Sequence, residues 1–388
     1  MASSSDHFLA LLRFSLGIDR EFNFRPTADE WAQLYEQSRR QSLVGVTYEG
    51  VSRLPEDCFE PAASGGADAQ THLPQLLALQ WANDAEVIAG LNDLQNRKAA
   101  QLTARFEEQG HHTVILKGQA NALLYPNPLS RQPGDIDIYV DGGRERVAAT
   151  LRRLGMAEDP DSHSEHHFHL IPDADGIEVE VHYKPSSGNL NATTNQRLQA
   201  YLMQLLGGGG GTALCDAGFR VPSSAFALAM QLSHICRHVM EWGLGLRQIV
   251  DYYFLLRTST DDDRRQLAAR LKELGLRPAA AALMWVLAET LHLPKELMVT
   301  APDRWRGRWL LGRLLDGGNF GWYGTRIPSH GAWRRFAFGR RQAFGLIWFC
   351  PKEAQKIKRE ELQYWRTLFV TIPLRIKQRK LSISVPKK

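Results

Sequence analysis

No apolar stretch of this chain approaches the roughly 18 residues that a membrane-spanning helix needs. The candidates FGLIWFC (344–350) and LFVTIPL (368–374) are far too short. Cysteine is scarce: Cys58, Cys215, Cys236 and Cys350 stand far apart, with no CxxC spacing. That argues against a disulfide framework or a zinc ribbon and fits a reducing compartment. The opening MASSSDHFLALLRF has no basic n-region and carries Asp6 early, so no secretory leader is expected and a cytoplasmic location is. Internal repeats, HExxH and GxGxxG are also missing, and no recognisable RNA-binding module is present. What remains is an ordinary globular composition, 44% hydrophobic and 23% charged, in a chain of 388 residues that can hold two or three cores.

Charge is unevenly spread. Residues 301–388 carry 20 Lys and Arg against 5 Asp and Glu, so with a total of +5 the rest of the chain is near −10. A basic end on an acidic body points to an anionic partner, or to a solvated basic face folded back on the body.

The pattern divides the chain into four regions. Residues 1–92 read as helical, through FLALLRFSL, ADEWAQLYEQSRRQ and LPQLLALQWANDAEVIAGL. From 93 to 190 helices and strands alternate. A helix from Asp93 ends at Gly110, and the strand TVILK leads to a short helix QANALLY stopped by Pro126 and Pro128. An Asp-bearing strand, a helix from Arg144 to Leu154, and the hairpin strands HFHLIP and IEVEVHY follow. Residues 191–300 are again largely helical after the GGGGG turn at 207–211, and 301–388 form a basic, Arg- and Trp-rich end.

The chemistry concentrates in the second region. Asp135 and Asp137 sit one residue apart in a run with strand character, Ile136, Ile138, Tyr139 and Val140. Alternation sends both carboxylates to one face, about 7 Å apart along the backbone. Two buried negative charges that close need compensation, and a divalent cation is the usual source. In IEVEVHY the residues Glu178, Glu180 and His182 share a face. If that strand lies beside the Asp strand, a glutamate joins the aspartates, and three carboxylates can hold two Mg²⁺ in the arrangement that clamps an in-line phosphoryl displacement.

These residues resemble a known family. LKGQANALLYPNPLSRQPGDIDIYV and EVEVHYK are similar to bacterial nucleotidyltransferase family proteins of the DNA polymerase beta-like superfamily. DEWAQLYEQSRRQSLVGVTYEGV, LSHICRHVMEWGLGLRQIVDYYFLL and LLDGGNFG resemble helical portions of that group's longer members. The resemblance implies an α+β fold, a minimal nucleotidyltransferase mixed-sheet core flanked by N- and C-terminal helical regions. It implies an enzyme that moves a nucleoside monophosphate from an NTP to an acceptor hydroxyl or phosphate, releasing pyrophosphate. Asp135, Asp137 and Glu180 would hold two Mg²⁺ (or Mn²⁺) and carry catalysis, with Glu178 as the fallback for Glu180. Lys117, Gly118, Gln119 and Arg131 would contact the nucleotide. Many members of the superfamily have a serine where Gln119 stands. The alternative is a catalytically inactive protein that keeps the fold and holds an anionic partner on its basic C-terminal region.

Other residues have plainer expectations. Arg131 can equally form a salt bridge to a nearby aspartate. Zinc is not expected at His163, His166, His167, His169 and His182, because too few share a face. His234 and His238, at i, i+4 on a helix, are expected to pack or cap, and Arg247 and Asp251 to form an ion pair. GGNFG (317–321) follows a helical run and reads as a helix stop.

Overall fold

The computed structural model describes residues 4–55, 58, 72–207, 211–241, 243–318, 332–359, 361–363 and 365–366. Residues 61–71, residues 208–210 of the glycine run, GGNFG beyond Gly318 and residues 375–388 lie outside the described residues. In chain order the elements are helices α1 (Ser4–Ser15), α2 (Ala28–Arg40), α3 (Val44–Val51) and α4 (Gln75–Glu107), strand β1 (Thr113–Ile115), and helix α5 (Gln119–Ala122). Next come β2 (Ile136–Val140), α6 (Gly143–Arg153), β3 (His167–Leu170), β4 (Val179–His182), α7 (Ala192–Gly207), β5 (Thr212–Leu214) and β6 (Arg220–Pro222). Helices α8 (Ser224–Glu241), α9 (Leu246–Thr258), α10 (Asp261–Arg270), α11 (Arg277–Leu291), α12 (Arg304–Gly317) and α13 (Ala332–Phe349) follow. None of the described helices is long and apolar enough to cross a membrane.

The fold is α+β around a small mixed sheet of order β1-β2-β4-β3. β1 and β2 are antiparallel, β2 and β4 parallel, and β4 and β3 antiparallel. The period-2 pattern of β2 and β4 decides what each face does. Ile136, Ile138, Val140, Val179 and Val181 are buried against Leu102 and Phe106 of α4 and Val147 and Leu151 of α6. Each such side chain contributes about 1.5–3 kcal/mol on burial, enough to fix the register. The alternate residues Asp137, Glu180 and His182 are thereby forced to the opposite face. A second and larger core joins α1–α3, the N-terminal half of α4 and α7–α12, centred on Trp31, Trp81, Phe226, Tyr252 and Tyr253.

Helix α4 runs without a break past residue 92, where the sequence pattern changes, so it enters both cores. Its buried polar residues hold the segment that leads into β2. Asn92 Nδ2 donates to the carbonyls of Leu129 and Arg131, both at 2.8 Å, and Gln95 donates to Gly134.

Candidate active site

A cavity of about 430 Å³ lies between the polar face of the sheet and the helices α8 and α9. From the sheet side it is lined by Lys117, Gly118, Asp135, Asp137, Glu180 and His182, and from the helices by His234, Arg237, His238, Arg247 and Asp251 among others. The parallel register of β2 and β4 pairs Asp137 with Glu180. Three ligand-type atoms, one each from Asp137, Glu180 and His182, lie within 4.8 Å of one another. Asp135 stands outside that group and connects to it through Lys117. The Lys117 ammonium is 2.7 Å from Asp137 Oδ2 and 3.5 Å from Asp135 Oδ1. Of the two candidate glutamates, Glu180 lines the cavity, while Glu178 is exposed and uses its carbonyl to accept from Ile136 N–H.

Protein cations already serve these carboxylates. His182 Nε2 lies 3.0 Å from Asp137 Oδ1 and 3.2 Å from Glu180 Oε2. Burial works against the imidazolium, yet its hydrogen bonds to Asp137 and Glu180 win and raise the pKa to about 9. Burial likewise opposes ionisation of Glu180, but the hydrogen bond from His182 and the Lys117 charge hold it down to about 2. Burial also disfavours the Lys117 charge, and Asp135, Asp137 and Glu180 outweigh it, leaving the pKa raised. The donor set of hard carboxylate oxygens and an imidazole suits a divalent cation, provided Lys117 and His182 give way at Asp137 and Glu180.

Gly118 makes the turn from β1 into α5 at φ +59°, ψ −107°, a conformation that side-chain-bearing residues rarely adopt, and so keeps backbone at the cavity wall. Gln119 is not brought there. Its side chain is buried and donates to Asn92 Oδ1 at 3.2 Å and Asn96 Oδ1 at 2.9 Å, because α5 turns its first residue toward α4. Arg131 lines the cavity, but its Nε and Nη2 bond both oxygens of Asp251 at 2.8 Å, and Tyr125 Oη donates to the same carboxylate at 2.7 Å. The salt-bridge expectation for Arg131 is therefore met from α9. Asp251's ion-pair partner is Arg131 rather than Arg247, which instead donates from Nη1 to the carbonyls of Gln132 at 2.9 Å and Pro133 at 3.3 Å.

The histidines of the hairpin come closer than their spacing indicated. The β3–β4 register sets His167 opposite His182 and His169 opposite Glu180, and His166, His167 and His182 also offer one ligand atom each within 4.8 Å. Burial, helped by neighbouring His182 and His167, lowers His166 to about 3, so it is neutral. His234 and His238, expected to pack or cap, pack on each other with ring centroids 4.2 Å apart, His238 bonds the backbone of Gly243 just past α8, and both also line the cavity. Burial and nearby Lys117 lower His238 to about 4, and burial with His238 holds His234 well below its ordinary range. Their i, i+4 spacing placed them on one face of α8, but nothing local in the sequence said that this face turns toward the sheet.

No curated protein matches the chain. Among solved structures, the crystal structure of an antigenic nucleotidyltransferase-like protein from Paracoccidioides brasiliensis aligns with 51% of this chain and 92% of its own at 14% identity. Its TM-score is 0.28, too loose a superposition to carry a structural comparison. Residues 27–292, which span the sheet, the cavity and the helices around it, match the family described as "uncharacterised nucleotidyltransferase", and the chain belongs to that family.

Proposed function

We propose that the protein is a metal-dependent nucleotidyltransferase that moves a nucleoside monophosphate from an NTP to an acceptor hydroxyl or phosphate. The acceptor oxygen bonds to the α-phosphorus, the bond to the bridging oxygen breaks, and pyrophosphate leaves. The observation that carries this reading is the pairing of Asp137 with Glu180 on adjacent parallel strands inside a cavity, with Asp135 and the Gly118 turn at its edge. Asp135, Asp137 and Glu180 are the residues that would hold Mg²⁺, or Mn²⁺, as two ions. Bound there, the metal would supply Lewis-acid stabilisation of phosphate charge and lower the pKa of the attacking hydroxyl.

The chain's own groups have definite parts in this reading. Glu180 stays ionised throughout the physiological range, so it is available as a ligand without prior proton loss. Lys117 keeps its charge beside the aspartates and can follow negative charge onto the departing pyrophosphate. The backbone at Gly118 can approach a phosphate with no side chain in the way. From α8 the neutral imidazoles of His234 and His238 face the site, beside Arg237 and Glu241, which pair with each other.

The test is pyrophosphate release from a panel of NTPs with Mg²⁺ and candidate hydroxyl acceptors. Asp135→Asn together with Asp137→Asn should lower the rate at least ~100-fold, the scale of lost electrostatic stabilisation. A double variant as active as the parent would sink the mechanism. One observation favours the non-catalytic alternative: Lys117 and His182 already supply two positive charges to the carboxylates. That reading predicts no metal-dependent turnover with any NTP.

A further inference from the structure

Three charged side chains, Arg131, Asp251 and Arg247, meet at the wall of the cavity next to Asp135, and only two of them pair directly. Arg131 and Asp251 form a bidentate pair, both bonds at 2.8 Å, which Tyr125 completes. Arg247 is the third, one helical turn before Asp251 on α9. It is only 7% exposed, yet among the described residues no carboxylate lies within ion-pairing distance of it. Its hydrogen-bond partners are two backbone carbonyls, and its buried Nε–H has none. The contrast between the two arginines follows from that geometry. Asp251 outweighs burial at Arg131 and raises its pKa, whereas at Arg247 burial and the Arg131 charge outweigh Asp251 and Asp135, neither of them bonded to it, and push the pKa down to about 10.

A buried cation that makes no direct ion pair is incompletely compensated, and an anion arriving beside it lowers that cost. The position narrows the anion. The Arg247 guanidinium lies over the backbone of Gly134, whose Cβ, if it had one, would come 3.8 and 3.9 Å from the two Nη atoms. Gly134 directly precedes Asp135, so the guanidinium stands beside the acidic group. A ligand reaching both needs several anionic oxygens in a row. A planar guanidinium with an unused N–H edge suits phosphate oxygens.

We infer that Arg247 is the anion-binding residue of this cavity, and that the oligophosphate of a nucleotide docks on it rather than on Arg131. The identity of the anion rests on the nucleotidyltransferase reading; the anion site does not. Arg131 is then a positioning residue, which holds Asp251 and keeps that carboxylate from pairing directly with Arg247.

The probe is inorganic tripolyphosphate with EDTA, titrated calorimetrically into the full-length protein. Lys117 and His182 already offset two of the three carboxylate charges, so the anion can bind without metal. Arg247→Met should weaken binding at least ten-fold, and Arg247→Lys, which keeps the charge but loses the fork, should recover part of that. Arg247→Met binding within two-fold of the parent would overturn the inference, as would a parent protein that binds no tripolyphosphate. Should Arg247→Met fail to fold, crystals of the unmodified protein soaked in tungstate decide. Density within hydrogen-bonding distance of Arg247 supports the site, and density only elsewhere overturns it. Because neither nucleotide nor metal is present, tripolyphosphate can bind at Arg247 while nucleotidyl transfer fails, and the reverse, so the two claims fall separately.

Discussion

His182 is the residue whose behaviour depends most on where it was placed. Its imidazolium is sandwiched between Asp137 and Glu180, with the side chain 6% exposed, and its pKa moves from the ordinary 6.5 to about 9. A group raised on folding binds its proton more tightly in the native state. Its stabilisation is therefore complete below pH 6.5, declines between 6.5 and 9, and is gone above. At ~1.36 kcal/mol per pH unit the contribution reaches up to ~3 kcal/mol. His166, His234 and His238 are held neutral and act below pH 6.5, outside this window. In EDTA the melting temperature should fall from pH 6.5 to 9, and His182→Gln should flatten that slope. Parallel losses in both proteins would refute the assignment. Asp135, Asp137, Glu180 and His182 could be picked out in the sequence because strand alternation puts them on one face, and that rule is local. The partnership of Arg131 with Asp251 spans 120 residues, and no spacing rule reaches so far. Lys117 was expected at a phosphate, but its distance to Asp137 depends on the register of β1 against β2, which alternation leaves open.

The element that organises the site is α4. Its 33 residues extend about 50 Å at ~1.5 Å per residue, long enough to serve both cores. The sequence showed its apolar periodicity but hid its polar function, since Asn92, Gln95 and Asn96 look like solvent-facing helix residues. Asn92 is in fact fully buried, donating to Leu129 and Arg131 and accepting from Gln119. Replacing it with Ala would strand these partners, at roughly 1–3 kcal/mol for each group left unsatisfied. Asn92→Ala should therefore lose on the order of 3 kcal/mol of unfolding free energy, seen as a lower urea midpoint with an unchanged slope. It should also slow transfer, because residues 129–134 lead directly into Asp135. An unchanged midpoint would show that water can replace the amide and that α4 does not set this loop. The strands were legible for the opposite reason. Val179, Val181 and Ile138 alternate cleanly with polar residues, whereas α8 is buried on almost every side, so its pattern gave no sign of which residues face the cavity.

The cavity lies on the seam between the two cores: its floor is the sheet packed on α6 and the C-terminal half of α4, and its roof is α8 and α9 from the larger helical core. A ligand that bridges Asp137 and Glu180 to Arg247 touches both halves, so it should oppose their separation during unfolding. Binding to the native state alone stabilises by RT ln(1 + [L]/Kd), ~2.7 kcal/mol at one hundred times Kd. For a chain of this length that amounts to several degrees in melting temperature. Mg²⁺ with a non-hydrolysable NTP should thus raise the melting temperature of the parent protein. The Asp135→Asn, Asp137→Asn double variant should lose the metal-dependent share of the increase, and Arg247→Met the share that persists in EDTA. The scaffold alternative expects something else. There the excess positive charge of residues 301–388 does the binding, and stabilisation would follow any polyanion, indifferent to metal and to both variants, and fade steeply with salt. Part of that region is already committed to the body, since Glu353 accepts from Asn191 N–H at 3.0 Å and Thr194 Oγ1 at 2.8 Å. A melting-temperature increase that requires both the aspartates and the metal cannot come from a basic surface. One that requires neither would assign this fold to holding an anion rather than transforming it.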